Sequence, residues 1–151
     1  MMPEIFSPAE RELLAVVLDR LVPAGRGFPA AGALGIGAYL ERVAGTTPAA
    51  RRLFVEGLRQ IAIAGERIRP PGFAALTGDE QDSVLERLER DQPAFFEVLV
   101  RQTYSGYYSD PAVLSLLGED SPPQPHGYPL DPFVNGLVDR VRRSPFSYRQ
   151  P

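Results

Sequence analysis

The sequence contains no cysteine, no lysine and a single histidine. Without cysteine there is no disulfide, no thiolate nucleophile and no iron–sulfur ligation. Without lysine there is no Schiff base, no Walker-type phosphate loop and no lysine general base. All 16 basic residues are therefore arginine. One histidine with no cysteine cannot build a zinc site of the usual nitrogen and sulfur kind. No apolar run approaches the ~20 residues that a membrane span needs. The formal charge of −3 argues against nucleic acid, which rewards a basic stripe. Residues 1–7 hold no basic cluster, so no signal peptide is read there and the expected location is the cytoplasm. A leader removed upstream of Met1 would make that location periplasmic.

What is present is an ordinary globular composition, 44% hydrophobic and 23% charged over 151 residues. That length suits one domain, which can bury roughly 68–70% of the surface its unfolded chain exposes. Helix-start grammar recurs along the chain. Ser7-Pro8-Ala9-Glu10 combines a cap, a proline for the first helical position and a capping-box glutamate. The stripe Leu13, Leu14, Val17, Leu18, Leu21 follows, and Pro23 ends that helix near Val22. Residues 23–37 are rich in glycine, alanine and proline. Gly35-Ile36-Gly37 matches part of a dinucleotide fingerprint, but that fingerprint needs a strand before it. It reads instead as a loop leading into a short helix at Ile36–Val43.

Thr47-Pro48 opens another helix, which buries Leu53, Phe54, Leu58, Ile61 and Ala62 and ends by Ile68 before Pro70-Pro71. Gly57 and Gly65 lie near that face, where they permit another helix to approach closely. Phe73 and Leu76 plug the connection. Thr77-Gly78-Asp79-Glu80 is a second capping box, and the helix from Gly78 to Arg90 turns Val84, Leu85 and Leu88 inward. Its acidic run, with Asp79, Glu80, Asp82, Glu86 and Glu89, reads as a solvated face. Asp91 and Pro93 open the next helix.

That next helix is the most strongly patterned part of the chain. Phe95, Phe96, Leu99, Val100, Thr103, Tyr104 and Tyr107 fall on one helical face. The stripe runs into Gly106, read as a breaker, then Tyr107-Tyr108-Ser109, and Asp110-Pro111 starts a short helix to Leu117. Tyr107 and Tyr108 are neighbours and cannot both face one core, so one of them points at solvent, the tail or a partner. Aromatics exposed in this way favour binding surfaces. Glu119 to Pro132 holds five prolines, Pro122, Pro123, Pro125, Pro129 and Pro132. This stretch is expected to be extended or turned. Leu137, Val138 and Val141 allow a further helical turn or two. The expected fold is all-α, a small bundle of about five to six helices over residues 1–118 with an extended proline-rich tail over 119–151.

His126 is the one candidate general base, and a serine–histidine–acid set can be assembled on paper from Ser109, His126 and Asp110. No nucleophile-elbow sequence supports it, and a loop histidine with an ordinary hydrogen bond is the competing reading. The candidate surface residues are Tyr104, Tyr107, Tyr108, Asp110, His126, Tyr128, Phe133, Phe146, Tyr148 and Arg149. They form a proposed partner interface, with no catalytic, cofactor or metal residue among them.

The block Thr103-Tyr104-Ser105-Gly106-Tyr107-Tyr108-Ser109-Asp110-Pro111 resembles the T-x-x-G-Y-[YF]-S-[DH]-P signature of the gluconate 2-dehydrogenase subunit 3 family. Arg20-Leu21-Val22-Pro23-Ala24 resembles the family's L-I-P-A segment, Phe73, Leu76 and Phe95-Phe96 match its middle, and Gly127-Tyr128-Pro129 resembles its G-Y-P element. The resemblance implies a small accessory subunit of an FAD-dependent dehydrogenase of the glucose–methanol–choline (GMC) type, which oxidises sugars, sugar acids or polyols. FAD would sit in the large partner subunit, with no cofactor in this chain and no catalytic residue to carry over. Many members begin with a twin-arginine export signal. Here Arg51-Arg52 and Arg142-Arg143 are internal, so the expectation shifts to a heterodimer with a cytoplasmic flavoprotein. The rival readings are a helical adaptor for an unrelated partner and a small standalone enzyme using His126.

Overall fold

The computed structural model describes residues 4–118. Six α-helices follow one another: α1 (Pro8–Leu21), α2 (Ile36–Ala44), α3 (Pro48–Ile68), α4 (Gly78–Asp91), α5 (Pro93–Tyr108) and α6 (Pro111–Leu117). A single 3-10 turn, Phe73–Ala75, links α3 to α4. The described residues form no strand, so the all-α expectation holds for them. The tail over 119–151 lies outside the described residues.

The caps form as their sequence grammar requires. Ser7 and Thr77 each accept from the backbone N–H three residues on, and Glu10 and Glu80 reach back to the cap N–H groups. Thr47 and Asp110 cap α3 and α6, each followed by proline in the first turn. One helix start differs from the sequence reading. Asp91 does not open α5 but ends α4, where its carboxylate accepts from Arg87 Nε one turn earlier (3.3 Å). α5 starts after Gln92 with no side-chain cap, and Pro93 in its first turn removes one of the donors that a cap would have satisfied.

α3 runs through the middle of the bundle. Its buried line is Phe54, Gly57, Leu58, Ile61 and Gly65. Phe54 stands between two other rings, Phe6 at 6.3 Å and Phe95 at 5.7 Å in an edge-to-face contact. Both α3 glycines serve close approach. A Cβ at Gly57 would overlap the ring of Phe95, and one at Gly65 would lie 2.5 Å from the backbone nitrogen of Phe73. Phe73 and Leu76 are buried as expected. On α5 the buried line is narrower than the sequence stripe. It comprises Phe95, Leu99, Thr103, Gly106 and Tyr107, while Phe96 and Val100 sit at its half-buried edge and Tyr104 is exposed. Gly106 does not break the helix. It lies inside α5, with Tyr39 of α2 packed against it.

The segment before α1 is fastened by charge. Glu41 Oε1 accepts from Ile5 N (2.8 Å) and Phe6 N (3.1 Å), and Arg11 donates to both carboxylate oxygens (3.0 Å each). This clamp holds Phe6 in the core. The Arg11 guanidinium, against some opposition from burial, and the two backbone N–H groups bring the Glu41 carboxyl from 4.5 down to about 2. The folded state thus binds this proton less tightly than the unfolded chain does. Its stabilisation is complete above about pH 4.5 and is lost as pH falls through about 2. Glu41→Gln should cost about 1–2 kcal/mol at neutral pH. The gap between wild type and variant should narrow as pH drops towards 2 in urea titrations monitored by circular dichroism. A gap that stays constant with pH would remove the clamp from the account.

Candidate functional site

The last turns of α5 gather the aromatic corner. Tyr104, Tyr107 and Tyr108 stand at positions i, i+3 and i+4, so their rings meet on adjoining faces. Tyr107 turns inward. It is 3% exposed, and its hydroxyl donates to the Pro29 carbonyl (2.6 Å), which ties α5 to the loop before α2. Burial first, then the nearby Tyr108 and Asp110, push the Tyr107 phenol up. Its neighbour Tyr108 is 50% exposed and Tyr104 is 43% exposed. The two exposed rings lie nearly parallel, with centroids 6.1 Å apart, and the ring of Tyr107 meets that of Tyr108 edge-on at 5.3 Å. The sequence argument that only one of the adjacent pair can be buried is met by this division.

Tyr39 is a member of the corner that sequence reasoning missed. Its ring covers Gly106, its hydroxyl donates to Gln102 Oε1 (2.9 Å), and the Arg42 guanidinium lies 5.9 Å from its ring centroid. The signal was there in Gly106 itself, since a glycine inside a patterned helix marks a place where something approaches closely. Below the corner, Asp110 accepts from Ala112 N (2.9 Å) and starts α6, which leaves Leu116 and Leu117 exposed. Of the candidate surface residues, Tyr104 and Tyr108 offer open rings. Tyr107 instead fills the core, so its ring is closed to any further contact and its part is to position α5. Asp110 is engaged as a cap. His126, Tyr128, Phe133, Phe146, Tyr148 and Arg149 lie outside the described residues.

Polar groups elsewhere serve folding. Asp82, from the acidic run of α4, takes two hydrogen bonds from Arg20 of α1 (2.9 and 2.6 Å), which lower its carboxyl and raise the guanidinium. Glu80 combines its cap role with an ion pair to Arg69 (3.0 Å). Among the described residues no three His, Cys, Asp or Glu side chains converge to hold a metal. No buried side-chain polar atom among them lacks a partner. Gly35 is the left-handed residue that starts α2 (φ 73°), and a turn rather than a strand precedes it. The partial fingerprint therefore lacks the strand that a dinucleotide cradle requires. No helix among the described residues is long and apolar enough to cross a membrane.

Fold and site together define an all-helical domain that presents aromatic surface and gathers no catalytic or metal-binding cluster among its described residues. The chain belongs to the gluconate 2-dehydrogenase subunit 3 family, whose sequence model matches residues 8–117. That match runs from the first turn of α1 to the end of α6 and includes the whole aromatic corner. By its description the family is one of dehydrogenase subunits. No curated protein matches the chain, and no solved structure does.

Proposed function

We propose that this chain is a non-catalytic accessory subunit that binds and stabilises a large FAD-dependent dehydrogenase subunit of the GMC type acting on sugars or polyols. The flavin belongs to the large subunit in this reading, and the pair works in the cytoplasm. The observation that carries it is the Tyr104–Tyr108 pair. Two parallel phenol rings stand open on a rigid helix that Tyr107 and Tyr39 lock from behind. Tyrosine supplies large contact area at small conformational cost, and such residues dominate interface energetics. Family membership supplies the kind of partner.

Co-expression with a flavoprotein gene encoded beside this one should yield a yellow complex that stays together on gel filtration. Replacing both Tyr104 and Tyr108 by alanine should weaken that complex by roughly 30-fold or more, the loss expected for hot-spot residues. The melting temperature of the isolated chain should barely move, because both rings are exposed. Separate elution of the two proteins under every condition tried would overturn the reading. Equal losses in complex and fold would remove the pair from the interface.

A further inference from the structure

α1 and α3 each carry a second apolar stripe besides the one they bury. On α1 it is Ala9, Leu13 and Val16; on α3 it is Val55 and Ala62, with Leu58 between the two stripes. The two stripes face a common groove of about 660 Å³, with Phe73 of the 3-10 turn also in its wall. No described helix fills it. Its rim is charged unevenly, with Glu10, Glu12 and Glu66 against a single arginine, Arg59. Glu10 is held by its own helix cap, and Arg59 leans on Glu56 (3.7 Å). Glu12 and Glu66 have no ion pair or side-chain hydrogen bond among the described residues.

We infer that this groove is a second docking surface, which takes an amphipathic helix of a partner protein with arginine or lysine flanking its apolar face. A small molecule is a poorer fit, because the apolar floor has no converging polar groups to orient one. Acidic lipids and fatty acids are repelled by the same rim. A helix laid between two helices completes the missing third side, its apolar residues meeting Leu13, Val16 and Val55. Its flanking cations then meet Glu12 and Glu66. This surface is built by α1 and α3, whereas the aromatic corner is built by α5 with Tyr39 of α2.

The test uses the full chain alone, so its outcome does not depend on finding a flavoprotein. The probe is a fluorescent amphipathic helical peptide of about four turns, with leucines on one face and arginines flanking them. A control peptide carries glutamate at each arginine position. Anisotropy should show micromolar binding of the arginine peptide and binding at least about tenfold weaker for the control. The double variant Glu12→Gln, Glu66→Gln should lose about fivefold in affinity and much of the salt dependence. Ala62→Arg should abolish binding, with melting curves confirming that both variants fold. Four results would overturn the proposal: no binding of either peptide at about 100 μM, equal binding of both, an affinity unmoved by the variants, or a self-association of the chain that Ala62→Arg dissolves.

Discussion

Phe54→Ala should cost about 3–5 kcal/mol and lower the melting temperature by roughly 10–20 °C. The ring is fully buried and is the middle of three, touching Phe6 on one side and Phe95 on the other. Its removal leaves a cavity whose walls are held from behind. Phe6 is fixed by the Glu41 clamp on the preceding backbone, and Phe95 rests in the notch at Gly57. Neither ring is free to slide into the space, so the cost belongs at the upper end of the range for truncating an aromatic side chain. Urea unfolding followed by tryptophan-free methods, such as far-ultraviolet circular dichroism, would measure it. A loss below about 1.5 kcal/mol would mean that the core collapses around the hole and that the three-ring stack is not its centre. Leu116→Ala, on the exposed face of α6, should change stability by less than about 0.5 kcal/mol and serves as the baseline.

The helices were legible in the sequence because their ends are written in local chemistry. Ser7-Pro8, Thr47-Pro48, Thr77 with Glu80, and Asp110-Pro111 each act over three or four residues, and each forms as read. Asp91 misled because an aspartate before a proline looks like a cap when it can equally close the previous helix against Arg87. What escaped was set by separation along the chain. Phe6 stands before the first helix and outside every apolar stripe, yet its ring partner lies in α3 and its backbone is held by Glu41. Arg20 finds Asp82 across 62 residues, and no spacing rule announces such a pair. The inward turn of one adjacent tyrosine was readable from geometry alone, and the stripe through Leu99 and Thr103 already put Tyr107 on the buried face; its hydrogen bond to the Pro29 carbonyl, 78 residues away, was not readable. The α1–α3 groove went unread because Leu13 was counted only as core and Val16 not at all, whereas both are half-buried, packed against the core on one side and lining the groove on the other.

Gly57→Ala should destabilise the fold by about 2–3 kcal/mol or more, against the direction that helix propensity dictates. In an exposed helix the same change would stabilise by roughly 1 kcal/mol, since alanine loses less backbone freedom on folding. The sign reverses because the new methyl would overlap the Phe95 ring, which Phe54 blocks on another side. The ring is fully buried and has nowhere to retreat. A double-mutant cycle separates this cause from a general intolerance of change in α3. Phe95→Leu removes the ring that the methyl would strike and carries its own cost of about 1–2 kcal/mol for lost packing. If the notch exists to seat that ring, the double variant should be more stable than the sum of the two losses by at least about 1 kcal/mol. Strict additivity would mean that the harm of a side chain at position 57 comes from elsewhere in the helix packing. The same logic reaches the aromatic corner, where Gly106 receives Tyr39 as Gly57 receives Phe95. Both glycines lie in the interior of a helix, and at each the helix gives up intrinsic stability so that an aromatic ring can lie flush against its backbone.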